Sequence, residues 1–220
     1  MKRFSLRYAL MTYKLDQLWL PLAIFLIFVL ISFIQLGEPQ LINIARSYLI
    51  AAIPLLAGIL AAYAVLEDPA LELRFSTPIP ASRTLFERLG LIFVAQTIFA
   101  VLFQVFILII GGDFSMYLSV WHLQLAWIIP TLSLMILGCT CSLLAANSTI
   151  GALMVGMVWL VQVIARSWFA QNFGKYFLVF MGGLMPDHPD LIANHFSLFA
   201  ISIALLISSV ALLRRQERYI

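Results

Sequence analysis

Long apolar runs alternate with short polar segments along most of the chain. Six of these runs contain no Asp, Glu, Lys or Arg, and they cover residues 18–36, 47–66, 89–110, 123–146, 149–165 and 196–213. Crossing a hydrocarbon core of about 30 Å takes about 20 helical residues, since each residue rises about 1.5 Å. The pattern predicts an all-α membrane protein with six transmembrane helices, the fifth of them extended to cover 149–169.

Composition supports a membrane protein over a soluble one. Of the 220 residues, 63% are hydrophobic and only 10% are charged, whereas soluble domains carry about 25% charged residues. A soluble core could not bury this much apolar surface, but a bilayer can cover it. The chain is therefore expected to form a single transmembrane domain over residues 1–220.

The basic residues predict the orientation. If the N-terminus is cytoplasmic, ten of the 13 Lys and Arg residues lie on the inner side, and only Arg46, Arg166 and Lys175 lie outside. Cytoplasmic loops carry such an excess of basic residues, so both termini are predicted to face the cytoplasm. The net charge of +3 is then explained by contacts with membrane lipids, and no nucleic acid is needed as a partner.

The first 17 residues are too polar to cross a bilayer. Phe4, Tyr8, Met11, Leu15 and Leu18 recur at helical spacing. This pattern is typical of an amphipathic helix that lies in the headgroup region. Residues 1–17 are therefore predicted to form an interfacial helix, with an extension of the first span as the alternative.

The segments between spans differ in size. Only Asn147 and Ser148 separate the fourth and fifth spans, which predicts a tight antiparallel pair. The outer segment 166–195 is the longest on its side, and it contains an apolar patch from Tyr176 to Leu184. Nine residues cannot cross the bilayer, so we expect an outer-surface or re-entrant helix that caps the bundle and is stopped by Gly182-Gly183 and Pro186.

The polar segment, residues 67–88, carries seven charges and three prolines between two apolar runs. Glu67-Asp68-Pro69 is typical of a helix start. Thr77-Pro78-Ile79-Pro80 must interrupt that helix, because proline lacks an N–H donor and disfavours helix in the residue before it. Ser82 is placed to cap a second helix, which carries Arg83 and runs directly into the third span.

The order of residues in this segment resembles the cytoplasmic loop of ABC-2 type permeases, the membrane subunits of ATP-binding cassette exporters. The shared features are an acidic residue after span 2, a Glu-Leu pair, a Ser/Thr-Pro corner, Ser-Arg and basic residues before span 3. The likeness extends to an amphipathic N-terminal helix, six spans and a basic C-terminal tail. It implies an ABC-2 exporter fold in a bacterial inner membrane.

The resemblance also implies partners and site residues. In that family the loop forms a coupling helix that rests on a separate ATPase subunit. The ATPase-coupling residues would be Glu72, Leu73, Arg74, Phe75, Thr77, Pro78, Ser82 and Arg83. The chain has no phosphate-binding G-x-x-x-x-G-K-[ST] sequence, so ATP and Mg would bind to the partner, expected in two copies, beside a second identical or homologous permease.

Few polar groups lie within the spans. The candidates for a substrate path are Gln96, Gln104, Gln162 and Arg166. Glutamines between helices also bond across a bundle, and an interfacial Arg also extends to the membrane surface, so a structural role is the alternative. A path so poor in charge favours a hydrophobic or amphipathic substrate.

Two other classes of protein stay open at this point. An intramembrane enzyme needs a nucleophile and base or metal ligands, but no span contains His, Asp or Glu. Asp187, His188, Asp190 and His195 could hold a metal outside the spans, although Pro-Asp-His-Pro-Asp is typical of a turn. A membrane assembly factor would need neither the stiff polar segment nor an ATPase.

Overall fold

The computed structural model describes residues 16–36, 40–64, 66–67, 81–115, 117 and 119–213, and helices account for most of them. In chain order the α-helices are α1 Asp16–Ile34, α2 Leu41–Arg46, α3 Ile53–Tyr63, α4 Ala81–Ile109, α5 Val120–Ala145, α6 Ser148–Ile164, α7 Arg166–Gln171, α8 Met181–Leu184 and α9 Leu191–Leu213. A π-helical segment, Ser47–Ala52, joins α2 to α3, and a 3₁₀ helix, Phe173–Phe177, precedes α8.

Four helical stretches are long and apolar enough to cross a membrane: Leu41–Tyr63, Ser82–Ile109, Val120–Ala145 and Leu191–Leu213. The apolar helices Leu18–Ile34 and Ser148–Ile164 are shorter. The all-α class and the character of an integral membrane protein are thereby confirmed. Six crossings remain a prediction, and so does the interfacial helix over 1–17. Of that segment the structure describes only residues 16–17, which are the first residues of α1.

Three local expectations are wrong. The second span does not start at residue 47, because residues 41–46 are also helical and lengthen it. The fifth span does not continue to residue 169, because α6 ends at Ile164 and the backbone leaves helical geometry at Ala165 before Arg166 starts α7. Ser82 is not a cap, since α4 already begins at Ala81, and alanine has the highest helix propensity.

The connection between α5 and α6 confirms the predicted tight pair. Ala146 adopts a left-handed conformation with φ of 50°, which ends α5. The Asn147 side chain then accepts a hydrogen bond from the Ile150 N–H at 3.1 Å and caps α6. We call this side of the bundle the hairpin end, and the opposite side, where Arg46 and Arg166 lie, the cavity end.

Helix α3 is the centre of the bundle and packs against both α5 and α6. Its small residues are buried, among them Ala57, Gly58, Ala61 and Ala62. A Cβ atom added at Gly138 of α5 would overlap the Gly58 carbonyl oxygen. Two helix backbones can approach this closely only where both residues are small, so this contact fixes the position of α3.

Helices α1 and α4 form the periphery. Trp19, Leu30 and Ile34 of α1 are exposed, as are Val94 and Ile98 of α4. An apolar surface this continuous is uncommon on soluble monomers and is expected where lipid covers the protein. The opposite face of α4 is buried at helical spacing, through Leu85, Leu89, Ile92, Gln96, Ala100, Phe103 and Ile107.

Replacement of Gly138 by alanine should destabilise the bundle, because the new methyl group overlaps the Gly58 carbonyl. Overpacking of this kind costs about 1–3 kcal/mol. Gly156→Ala is the matched control, since no atom lies within 4 Å of a Cβ added there. Thermal unfolding of the purified protein in detergent, followed by circular dichroism, should show a lower midpoint for Gly138→Ala only. Equal midpoints for both variants would contradict the proposed contact.

Candidate functional site

A cavity of about 500 Å³ lies at the cavity end of the bundle. Its walls come from α1, the π-helical segment, the start of α3, α6 and α8. Most of the residues that line it are apolar. They are Ile24, Phe28, Arg46, Ser47, Ile50, Ala51, Ala52, Leu55, Trp159, Val163, Arg166, Phe180, Gly183 and Leu184. The volume falls within the usual range for small-molecule sites, about 300–1,000 Å³. We call it the arginine cavity.

The π-helical wall has a cause in the sequence. Pro54 has no N–H, and its ring conflicts with the carbonyl of Ile50, four residues earlier in a regular α-helix. The turn before it is therefore distorted into the π-helix Ser47–Ala52. The Trp159 indole N–H donates to the Ala51 carbonyl oxygen at 3.0 Å. A neighbouring helix thus satisfies part of the backbone that the irregular turn leaves exposed, as membrane interiors require.

Two arginines from different elements border the arginine cavity. Arg46 is the last residue of α2, and Arg166 is the first residue after the break at Ala165. Burial raises the pKa of the Tyr117 hydroxyl, and the positive charge of the nearby Arg46 guanidinium opposes that shift. Arg166 is exposed, so its guanidinium can reach both solvent and the cavity opening.

The cap, residues 173–184, closes the bundle above α5 and α9. Its apolar residues Leu178 to Met181 are buried, which agrees with the predicted capping segment. The helix of that segment continues through Gly182-Gly183 and ends at Leu184, two residues before Pro186, so of the expected stops only Pro186 lies at its end. Gly183 needs the absence of a side chain, because a Cβ there would overlap the Ile50 side chain across the contact between α8 and the π-helix.

Buried amides fix the cap to the bundle. The Gln162 Oε1 atom accepts a hydrogen bond from the Val179 N–H at 2.7 Å, and its Nε2 donates to the Phe177 carbonyl at 3.3 Å. From α9, the Asn194 Nδ2 atom donates to the carbonyls of Lys175 and Leu178 at 2.7 and 3.0 Å. Sequence reasoning missed Asn194, which lies five residues after the predicted turn's last Pro at position 189.

The four predicted substrate-path residues do not form one site. Arg166 lines the arginine cavity, while Gln162 holds the cap beside it. The Gln104 Oε1 atom accepts from Gln124 Nε2 at 2.7 Å and so bridges α4 to α5. Gln96 is completely buried, and within the described part of the chain neither of its amide atoms has a hydrogen-bond partner.

The predicted coupling residues are described only in part. Glu72, Leu73, Arg74, Phe75, Thr77 and Pro78 lie outside the described residues. Arg83 is exposed and forms an ion pair with Glu87 at 2.9 Å, one helical turn further along α4. Ser82 lines a cleft with the last turns of α9, which places the start of α4 at the hairpin end.

Glu67, the first residue of the polar segment, also lies at the hairpin end. Ser148 Oγ, in the first turn of α6, donates a hydrogen bond to Glu67 Oε1 at 2.8 Å. Glu67 follows the end of α3, so this contact joins the second span to the tight pair of α5 and α6. The two described ends of the polar segment therefore meet the same face of the bundle.

The acidic and histidine residues before α9 are arranged as a turn. Asp190 pairs with Lys175 at 2.5 Å, and the Asp190 N–H donates to His188 Nδ1 at 3.1 Å. Among the residues that the structure describes, no group of three or more His, Cys, Asp and Glu side chains could hold a metal. This turn is an anchor for the cap.

Comparisons of the chain with protein-family models, with curated proteins and with solved structures gave no match.

The two buried glutamines allow a paired test. Gln96→Met removes an amide that lacks hydrogen-bond partners among the described residues, so stability should stay the same or rise. Gln162→Met leaves the buried Val179 N–H without its acceptor, which costs about 1–3 kcal/mol. Thermal unfolding in detergent measures both. A loss of stability in Gln96→Met equal to that in Gln162→Met would show that Gln96 has an essential partner.

The ion pair of the cap should make stability depend on pH. Its hydrogen bond lowers the pKa of Asp190 and raises the pKa of Lys175. The stabilisation is therefore fully present from about pH 3.8 to about pH 10.5, the ordinary values of the two groups. It is lost as the pH falls through the lowered Asp190 pKa or rises through the raised Lys175 pKa.

Asp190→Asn tests this dependence, because the amide keeps the size of the side chain and removes its charge. The unfolding midpoint of the wild type should exceed that of the variant at pH 7. The difference should shrink below pH 3.8, where Asp190 begins to bind a proton in the unfolded chain, and should disappear once the pH lies below the lowered pKa of the folded protein. A difference that does not change with pH would assign the effect to packing and exclude a role for the ion pair.

Proposed function

We propose that this chain is the membrane-embedded permease subunit of an ATP-binding cassette exporter of the ABC-2 type. It moves a hydrophobic or amphipathic substrate with energy from ATP that a separate subunit hydrolyses. The polar segment, residues 67–88, receives the motion of that subunit on the cytoplasmic side. The chain works in a bacterial inner membrane beside a second permease, identical or homologous, and two copies of the ATPase subunit.

The observation that carries the proposal is the course of the second span. At one end its residues Arg46 to Leu55 line the arginine cavity. At the other end it leads to Glu67, the first residue of the polar segment, which binds Ser148. One continuous helical stretch therefore connects the segment where a partner would act with the cavity where a substrate would bind.

Close packing allows this helical stretch to transmit movement to the helices beside it. Between its two ends, Gly58 is in backbone contact with Gly138, and a Cβ at Gly58 would also overlap Val155 of α6. A displaced α3 must therefore move α5 and α6, because packed interiors rearrange as units and hardly compress. Rotation of α3 also changes the walls of the arginine cavity.

The third span supplies a second connection. Helix α4 runs without a break from Ala81 to Ile109, so its polar first turns and its membrane-spanning part form one rigid element. The Arg83–Glu87 pair lies on these first turns, while Arg88 is already buried. A push on residues 81–87 tilts the whole of α4.

A direct test is purification of the full chain from its native membrane under mild conditions. We expect an ATPase subunit with a cassette sequence to co-purify, and its ATP hydrolysis to rise when the permease is present. A membrane assembly factor would show neither result. If the chain purifies without any nucleotide-hydrolysing subunit, the proposal is contradicted.

Charge exchange on α4 separates coupling from helix stability. Arg83→Glu should lower the stimulation of ATP hydrolysis, because it inverts a charge offered to the partner and removes the ion pair with Glu87. The double variant Arg83→Glu/Glu87→Arg restores an ion pair at the same spacing, which is worth about 0.3–0.5 kcal/mol on an exposed helix. It still presents the two charges to the partner in the inverted order.

The ATPase assay, with thermal unfolding as control, distinguishes the two roles. If Arg83 contacts the ATPase, both variants lose stimulation while the double variant unfolds like the wild type. Recovery of stimulation by the double variant would show that Arg83 only stabilises the helix. Full activity of both variants would exclude this end of α4 from the coupling surface.

A further inference from the structure

We infer that the arginine cavity binds an anionic amphiphile, a molecule with one carboxylate or phosphate group and an apolar chain. Its head group pairs with Arg46 and Arg166, and its chain lies against the apolar wall formed by Phe28, Ile50, Leu55, Trp159 and Phe180. This inference deepens the proposed function, because it names the class of substrate for the same site.

The charges at the cavity favour an anion. Two guanidinium groups border it, and the lining residues within the described part of the chain include no carboxylate. Guanidinium presents several N–H donors in a fixed plane, which match the oxygens of carboxylate and phosphate. Two positive charges close to apolar walls repel a cation and attract an anion more strongly than they would in water.

The remaining walls favour an apolar chain. Among the described residues that line the cavity, Ser47 alone has a side-chain hydroxyl, and that hydroxyl already donates to the Asn43 carbonyl at 2.8 Å. The Trp159 N–H is likewise engaged with Ala51. A sugar or peptide would find few hydrogen-bond partners along these walls, and burial of its polar groups would be unfavourable.

The arginines and the apolar walls of the cavity follow one another in the order that an amphiphile requires. Arg46 and Arg166 both lie at the cavity end of the bundle, Arg46 in the first turns of the second span and Arg166 just after α6. Leu55 and Trp159 lie further along these helices, toward the middle of the bundle. A head group at the interface would therefore place its chain in the same direction as the acyl chains of the surrounding lipid.

Trp159 allows binding to be observed at the cavity itself. Purified full-length protein in detergent is titrated with 9,10-dibromostearate, whose bromines quench nearby indoles. Subtraction of the same titration on Trp159→Phe isolates the Trp159 signal from the other four tryptophans. We expect saturable quenching of this component in the wild type. Quenching that increases linearly without saturation would overturn the inference.

Arginine variants test the head-group contact. Arg166→Gln should weaken dibromostearate binding about tenfold, which is the effect of losing one charge-assisted hydrogen bond of about 1.5 kcal/mol. Arg46→Gln/Arg166→Gln should weaken it further, and Arg46→Lys/Arg166→Lys should keep part of the affinity. Arg214→Gln, in the basic tail that follows α9 in the sequence, is the matched control and should bind like the wild type. Equal affinity in all variants would overturn the inference.

Different probes identify the source of the anion. Vesicles of brominated phosphatidylglycerol test a membrane lipid, vesicles of brominated phosphatidylcholine test a lipid without net charge, and inorganic phosphate tests an anion without a chain. Stronger quenching by phosphatidylglycerol than by phosphatidylcholine supports a lipid, and quenching by dibromostearate alone supports a free fatty acid. Equal quenching by both lipids, or displacement of dibromostearate by inorganic phosphate at equal concentration, would overturn the amphiphile.

These measurements use neither ATP nor a partner subunit. Binding that depends on the arginines, in a protein without an ATPase partner, would support this inference and contradict the proposed function. If an ATPase co-purifies but the arginine variants bind dibromostearate like the wild type, the proposed function is supported and this inference is contradicted. The two hypotheses can therefore fail independently.

Discussion

The backbone contact between Gly58 and Gly138 determines how the rest of the bundle is arranged. Within lipid, apolar side chains gain little from leaving their surroundings, so helices associate through close packing and hydrogen bonds. Helix α3 achieves this packing with small residues on the faces toward α5 and α6. It lies between the arginine cavity and the hairpin end, and α1, α4, α5 and α6 all contact it.

The same span is regular at its middle and irregular near Arg46. Pro54 removes a backbone donor, the π-helix Ser47–Ala52 accommodates the change, and the Trp159 indole satisfies the Ala51 carbonyl. An irregular backbone at membrane depth is tolerated where protein surrounds it or where it borders a cavity. Here both conditions hold, because α6 supplies the tryptophan and the arginine cavity lies along the distorted turns.

The sequence was sufficient to predict what depends on composition along the chain. Uninterrupted apolar runs identified α4, α5 and α9 to within a few residues except at the start of α4, and Asn147-Ser148 identified the turn between α5 and α6. Partners that are distant in sequence could not be found this way. Gln96 and Gln162 look alike in their apolar runs, yet only Gln162 meets backbone groups of the cap.

Arg46 and Trp159 show the same limit for the site. The sequence identifies Arg46 only as a basic residue on the outer side, and nothing in it places Arg46 beside Arg166, 120 positions later. The cavity exists because a proline distorts one span and because α6 ends before the arginine. Each event has a local cause, but their meeting depends on the packing of α3 between α5 and α6.

The two sides of the arginine cavity differ in how easily they can change. On the cap side, Phe180 and Gly183 belong to a segment held by buried hydrogen bonds from Gln162 and Asn194. Breaking these buried bonds would leave backbone groups unpaired, which is costly. On the other side, the π-helix needs only a shift in its hydrogen-bond register to shorten or turn. Any change in the cavity's shape should therefore come from the second span, the same element that leads to the polar segment.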